Sequence, residues 1–413
     1  MNLHNKIFSL GENKFTTDYE YILDLGNQPW GNHILKEEEV GKEPTYPLKL
    51  VFCNKSELLQ LTHFVPKEVM FLDHSYVSGT TKSLAEHFYN LAKENINQFK
   101  LTDIHTVLDI GGNDGTQLEQ YKKLGINNLI NVESAKNISS LSKDKNIKTY
   151  NMFFNEENVK ENITKQSVDL VNASGVFFHL EELDSVIKGI NFVLKDDGVF
   201  VVQFMYAGSM IDNGNFDTIY HEHLCYYTIN SIQKLLKKYN LRLFDADYNN
   251  IHSGTIIAKF CKLNSNHTIT KRCEQLIEKD KTYNLKAFKQ FGNNIKSKKY
   301  NLKNKLKELK AKKKTIYAYG APVKGNTLLN YMEIDNSLID KAVEINELKI
   351  GKYLPGSHIP IVKETTSDLP DYYLLLSHNF KDEIVSKNQD IINKGVKFIV
   401  PFPEIEIIGK QGK

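Results

Sequence analysis

The chain has 413 residues, 41% of them hydrophobic and 25% charged with both signs mixed, and its formal net charge is +3. That length exceeds one ordinary core and implies two or three domains, and the composition excludes a disordered or fibrous chain. So small a net charge gives no broad basic field for nucleic acid, which leaves small molecules as the expected partners.

In chain order, the start "MNLHNKIFSLGENKF" shows no apolar core flanked by a cleavage site. No later stretch approaches the roughly eighteen apolar residues of a membrane span, so a cytoplasmic protein without a membrane partner is expected. Short apolar runs such as "YILDL" and "PLKLVF", broken by Gly, Pro and Asn, predict a small N-terminal domain over 1–83. From Leu84 the texture alternates. "LAEHFYNLAKENI" reads as a helix, "HTVLDI" as a buried strand, and a Gly-rich turn then leads into a polar helix near Thr116. "NNLINVE", "KTY", "VDLVNAS" and "GVFVVQFM" are further strands, and "ELDSVIKGINFVL" is a helix with Leu183, Val186, Ile187 and Ile190 on one face. After a helix around "SIQKLLKKYN", "LRLFDADY" and "TIIAKF" follow without a helix between them, suggesting an antiparallel edge on a parallel sheet over 84–265. Residues 266–314 form a Lys-rich helical connector, where a solvated face outweighs a phosphate-binding role for "KAKKK". "KTIYAYGAPVKGNTLLNYM" then repeats strand, Gly turn and helix, opening a second α/β domain over 315–413. The cysteines Cys53, Cys225, Cys261 and Cys273 lack paired spacing and read as reduced, mostly buried thiols.

Two stretches carry chemistry. In "LDIGGNDG", Gly111, Gly112 and Gly115 let the backbone approach a ligand where strand gives way to helix, with Asp109 at the strand end. The dinucleotide spacing G-x-G-x-x-G fails, because its second glycine falls on Asn113. Two acidic residues, Asp109 and then Glu133 in "INVESA", suit a ligand with an amino-acid cation and a ribose, which S-adenosylmethionine combines. The other stretch, "FDTIYHEHLCYY", places Tyr220, His221, Glu222 and His223 side by side. On an extended strand His221 and His223 would point the same way, but no third close ligand completes a metal site, and His221 is expected to face solvent.

These motifs, together with "QLTHFVPKEVMF", "SYVSGTTKSLAEHF", "IHSGTIIAKF", "YAYGAPVKGNTLLNY" and "FIVPFPEIEI", give a chain that resembles, over nearly its whole length, the S-adenosylmethionine-dependent sugar C-methyltransferases that build branched deoxysugars such as tetronitrose and kijanose. The resemblance implies a class I Rossmann-like methyltransferase core between a small N-terminal domain and a Rossmann-like C-terminal domain that helps hold a nucleotide-linked sugar. It implies a cofactor site of Asp109, Gly111, Gly112, Asn113, Asp114, Gly115, Glu133 and Ser174. His223 would take a proton from the carbon beside a keto group, Glu222 would orient the imidazole or contact the sugar, and Tyr220 and Tyr76 would donate hydrogen bonds to the developing enolate oxygen. His179 would lie close by, or serve only as a residue at a helix start. Lys324, Asn326, Tyr319 and His252 would contact the substrate, Lys324 at its diphosphate.

One departure concerns metal. The family's N-terminal domain holds zinc on four cysteines, whereas here only Cys53 remains, with Ser56 where a partner would stand. His4, His33 and His63 follow no ligand spacing, so no metal is expected. Methylation of a sugar hydroxyl on the same fold, and a non-catalytic nucleotide-sugar-binding protein, are the alternatives. The expected assembly is a monomer or homodimer.

Overall fold

The N-terminal domain starts with a hairpin, β1 (Ile7–Ser9) against β2 (Lys14–Thr16), and continues into β3 (Tyr19–Pro29), β4 (Thr45–Cys53) and β5 (Leu58–Leu61). Neighbouring strands run antiparallel. Gly26, at φ +77°, takes up a break in register between β3 and β4, and the Asp24 carboxylate accepts its N–H at 2.9 Å. This computed structural model describes residues 6–71, 77–80, 82–249 and 254–410.

The central domain is built from β6 (Thr106–Ile110), β7 (Asn128–Val132), β8 (Lys148–Tyr150), β9 (Val168–Ser174) and β10 (Leu194–Met205). Next, β11 (Cys225–Tyr226) leaves the domain and pairs with β5, so that the segment around His223 is stitched into the N-terminal sheet. β12 (Leu241–Asn249) and β13 (Thr255–Lys262) complete a seven-stranded sheet in the order β12-β13-β10-β9-β6-β7-β8. Only β13 runs against the rest: it is antiparallel to both β10 and β12. The expected antiparallel edge is therefore one place inside the edge. β6, β9 and β10 are nearly continuous buried runs, as strands covered on both faces must be. The strand order reverses beside β6, which puts a crevice at the carboxyl ends of β6 and β9.

The connector is three helices, Lys271–Asp280, Leu285–Lys298 and Asn301–Ala311, and the predicted apolar stripe of Phe288, Phe291, Ile295, Leu302, Leu306 and Leu309 is buried. It does more than connect. Phe288 packs on Phe52 with ring centroids 5.8 Å apart, so its helix covers the N-terminal sheet. The C-terminal domain contributes β14 (Ile316–Tyr319), β15 (Lys341–Glu344), β16 (Ile361–Lys363), β17 (Tyr372–Leu375), β18 (Lys397–Val400) and β19 (Glu406–Ile408), ordered β16-β15-β14-β17-β18-β19 and parallel except for β19. It is fastened to the N-terminal domain. Asn326 Nδ2 donates to the Gly31 carbonyl at 2.8 Å, and Glu43 accepts from the Gly356 N–H at 2.9 Å. No helix among the described residues is long and apolar enough to cross a membrane.

Candidate functional site

The Gly turn begins as β6 ends. Gly111 adopts φ +62° and donates its N–H to the Val132 carbonyl at 2.8 Å, and a Cβ there would lie 2.8 Å from Val176 Cγ2. Asn113 is also left-handed, a conformation that asparagine tolerates. Glu133 braces the turn, its Oε2 accepting the Asn113 N–H at 2.9 Å and its Oε1 the Ala135 N–H at 2.8 Å. A carboxylate oxygen can accept from more than one donor. Asp109 lies beneath, only 2% exposed, and burial, followed by the nearby Glu133, pushes its carboxyl well above the usual range. A cation above it would favour the charged form.

A pocket enclosing about 970 Å³, part of it open to solvent, lies at these strand ends. Gly111, Asn113, Glu133 and Ser174 of the expected cofactor set line it, and the Ser174 hydroxyl is buried without a hydrogen-bond partner among the described residues. An orphaned hydroxyl, a two-oxygen acceptor and backbone bared by glycine fit a ligand with a ribose and an amino-acid end. Asp109, Gly112, Asp114 and Gly115 do not form the wall. Gly112 covers Asp109, while Asp114 accepts from the Thr116 hydroxyl at 2.6 Å and Gly115 caps the helix Thr116–Lys123. Sequence reasoning passed over Phe153 and Phe154, which follow β8 and give the pocket an apolar side. The available signal was a pair of aromatics directly after the third strand.

The segment 216–226 lies behind His179, which lines the pocket. A short 3-10 turn, Phe216–Thr218, is followed by a second turn in which the His223 N–H meets the Tyr220 carbonyl at 2.9 Å. The His223 Nδ1 lies 2.9 Å from the Thr218 carbonyl. A carbonyl only accepts, so Nδ1 carries the proton and Nε2 is the basic nitrogen of the neutral ring. His179, in the turn Phe177–His179, is held the same way, its Nδ1 2.5 Å from the Glu222 carbonyl. The two imidazoles are 5.1 Å apart between centroids, and the Tyr220 ring packs on His223 at 3.8 Å, tilted by 38°. His179 lines this pocket and His223 is packed behind it. Burial, then Glu222, raises the Tyr220 phenol well above its ordinary value, which keeps it a hydrogen-bond donor.

Glu222 reaches the N-terminal domain: its Oε1 accepts from Trp30 Nε1 at 2.7 Å and from Asn32 Nδ2. Neither partner was foreseen, since about 190 residues separate them from Glu222 and "PWGN" carries no motif. The expectation that His221 faces solvent is wrong. It is 1% exposed, its ring 5.8 Å from Tyr46, and burial lowers its pKa to about 4. The cause is the backbone. The segment turns instead of extending, so His221 points at the N-terminal sheet and His223 at His179. Tyr76 and His252 lie outside the described residues.

In the C-terminal domain, Lys324 donates to Asn379 Oδ1, and burial lowers its ammonium pKa although Asp217 opposes the shift. Asn326 is buried at the Gly31 junction with Oδ1 unpartnered among the described residues. Tyr319 lies apart from both, on the sheet face with Tyr373 and Phe398, where Asn388 donates to its hydroxyl at 3.2 Å.

The described residues of the N-terminal domain do not form a zinc site. Cys53 is buried among Ile7, Tyr19 and Val51, and burial pushes its thiol up to about 11, away from the thiolate that a metal needs. His33 contacts Glu39 at 3.3 Å, His63 stacks on Tyr46 at 5.9 Å, and His4 lies outside the described residues. No group of three or more His, Cys, Asp or Glu able to hold a metal occurs among the described residues.

Three families match along the chain: "Putative zinc binding domain" over 15–71, "Methyltransferase domain" over 80–245 and "C-methyltransferase C-terminal domain" over 250–403. The C-methyltransferase NovU of Streptomyces niveus is 28% identical over 401 residues, which cover 95% of each chain. Among solved structures, the YcgJ protein of Bacillus subtilis is 13% identical, with a TM-score of 0.36, and the match covers 43% of this chain and 98% of that one. Magnesium protoporphyrin IX methyltransferase of Synechocystis, with bound S-adenosylmethionine, is 11% identical, with a TM-score of 0.34 over 43% of this chain and 79% of that one.

Proposed function

The chain belongs to the S-adenosylmethionine-dependent C-methyltransferases, and from that premise we propose that it methylates carbon in a nucleotide-linked keto sugar, with His223 as the base. The observation that carries the proposal is the pinned tautomer: the Thr218 carbonyl holds His223 Nδ1–H, which makes Nε2 the basic nitrogen able to take a proton from carbon. S-adenosylmethionine supplies an electrophilic methyl group on sulfonium. Glu133 would hold its ribose hydroxyls, the Gly111 backbone and Ser174 its amino-acid end, and Phe153 and Phe154 would exclude water from its base. Asp109 would balance its cationic end from below.

Proton removal beside the ketone leaves negative charge on an oxygen, and a Tyr220 phenol that stays protonated is the donor for it. Glu222, held by Trp30 and Asn32, fixes the loop whose carbonyl orients His179. Lys324 is assigned to the diphosphate, at the start of the helix Val323–Tyr331. The setting is a cytoplasmic enzyme of deoxysugar biosynthesis. A second reading makes His179 the base, favoured by its place on the pocket wall. Offering a panel of nucleotide keto sugars with methyl-labelled S-adenosylmethionine and locating the label by NMR tests the proposal. A C–CH₃ product supports it, and an O–CH₃ product replaces it with hydroxyl methylation.

A further inference from the structure

The turn that presents the acceptor to His223 is gripped by the C-terminal domain. Phe216 is packed edge-on between Tyr331 and Phe402, with ring centroids 5.2 and 5.3 Å away. The next residue, Asp217, is fully buried, and its Oδ2 lies 2.7 Å from Nε2 of His378, which sits in the 3-10 turn His378–Phe380 after β17. Burial alone would raise the Asp217 carboxyl. The His378 ring and the Lys324 ammonium outweigh it and hold the group below the usual carboxylate range. The carboxylate accepts, so the ring donates Nε2–H. Asp217 Oδ1 has no hydrogen-bond partner among the described residues, which leaves the His378 contact as the anchor. One peptide further on is the Thr218 carbonyl that receives His223 Nδ1–H at 2.9 Å.

We propose that His378 is a positioning residue: by anchoring Asp217 it holds the Thr218 carbonyl where His223 stays in the Nδ1–H tautomer, with Nε2 as the basic nitrogen. This rests on the reading of His223 as the base. Without the donor, the buried carboxylate keeps the Lys324 charge nearby but loses its side-chain hydrogen bond, and the turn must shift to hydrate it. A carbonyl displaced by about 1 Å loses its hold on the ring, and the two neutral tautomers mix.

The test uses the full chain labelled with ¹⁵N-histidine, with S-adenosylhomocysteine present and the His223 ring signals assigned from His223→Asn. The parent should show one tautomer, protonated at Nδ1. His378→Phe keeps the ring volume but removes the donor. It should show mixed tautomers and a kcat about tenfold lower on the nucleotide sugar methylated by the parent, with cofactor affinity unchanged. His378→Gln, whose amide N–H reaches Asp217, should restore the parent signature. If His378→Phe does not fold, the smaller His378→Asn, too short to reach Asp217, is read in the same way. A parent-like His223 signature in the donor-less variant overturns the proposal. A mixed signature with parental kcat leaves the positioning standing and removes His223 as the base.

Discussion

The protein contains the same local unit twice, and the two copies serve different ends. In the central domain Gly111 at φ +62° donates to the Val132 carbonyl, and Glu133 accepts the Asn113 N–H at 2.9 Å. In the C-terminal domain Gly320 at φ +83° donates to the Val343 carbonyl at 2.9 Å, and Glu344 accepts the Ala321 N–H at 3.0 Å. Both carboxylates close a strand–turn–helix unit through the same backbone logic. What differs is the space above. The first turn opens on the 970 Å³ pocket and an orphaned Ser174 hydroxyl. The second is covered by Lys349, whose Nζ donates to the Ala321 carbonyl at 2.8 Å, and the helix that follows is pressed onto Gly31. An acidic strand end and a glycine turn therefore make a cradle only where the sheet leaves a crevice.

The contrast breaks most sharply at the glycines. In Gly111→Val, a Cβ meets Val176 in a left-handed backbone, and strain plus overpacking should weaken S-adenosylmethionine binding by about 100-fold in calorimetry. Gly320→Ala carries the same backbone strain away from the pocket. It should lower the thermal midpoint by several degrees and leave cofactor affinity as it was. The glutamates should show the same asymmetry at smaller scale. Glu133→Gln removes a charged acceptor from the pocket wall and should cost about tenfold in affinity, whereas Glu344→Gln should change it less than twofold. Equal losses in the two glutamine variants would mean that the second turn also holds the cofactor.

The glycine turn and its glutamate were legible because both belong to one stretch of chain, where strand, turn and next strand follow in order. The central strands were legible because burial on both faces makes them unbroken apolar runs. The site's supports were not. Trp30, Asn32 and His378 meet Glu222 and Asp217 across 192, 190 and 161 residues, and no spacing rule spans such distances. β11 is two residues long, too short for a periodic signal, yet it sets where His223 and Glu222 sit. His221 departs from its solvent-facing expectation because the segment turns and points the ring at the N-terminal sheet, a contact made across 175 residues of sequence.

The smallest effect is a pH dependence in the ligand-free protein. The Asp109 carboxyl is raised in the folded state by burial and by Glu133, so above the unfolded value of about 3.9 the native state holds a proton that the unfolded chain has released. That contribution to stability is complete below the unfolded value and is lost as pH rises toward the folded one. Thermal midpoints should therefore fall from pH 4 upward less steeply in Asp109→Asn than in the parent. Saturating S-adenosylmethionine, which places a cation above the carboxylate, should flatten the parent's curve.

The central claim, that His223 takes a proton from carbon, is tested most directly by solvent-deuterium exchange. The parent, His223→Asn and His179→Asn are each incubated in D₂O with S-adenosylhomocysteine and the nucleotide keto sugar, and the signal of the C–H beside the ketone is followed by NMR. The account predicts exchange by the parent, a loss of roughly two to four orders of magnitude in His223→Asn with cofactor affinity retained, and a smaller loss in His179→Asn. Exchange that persists in His223→Asn and disappears in His179→Asn would contradict it and move the base to the histidine on the pocket wall.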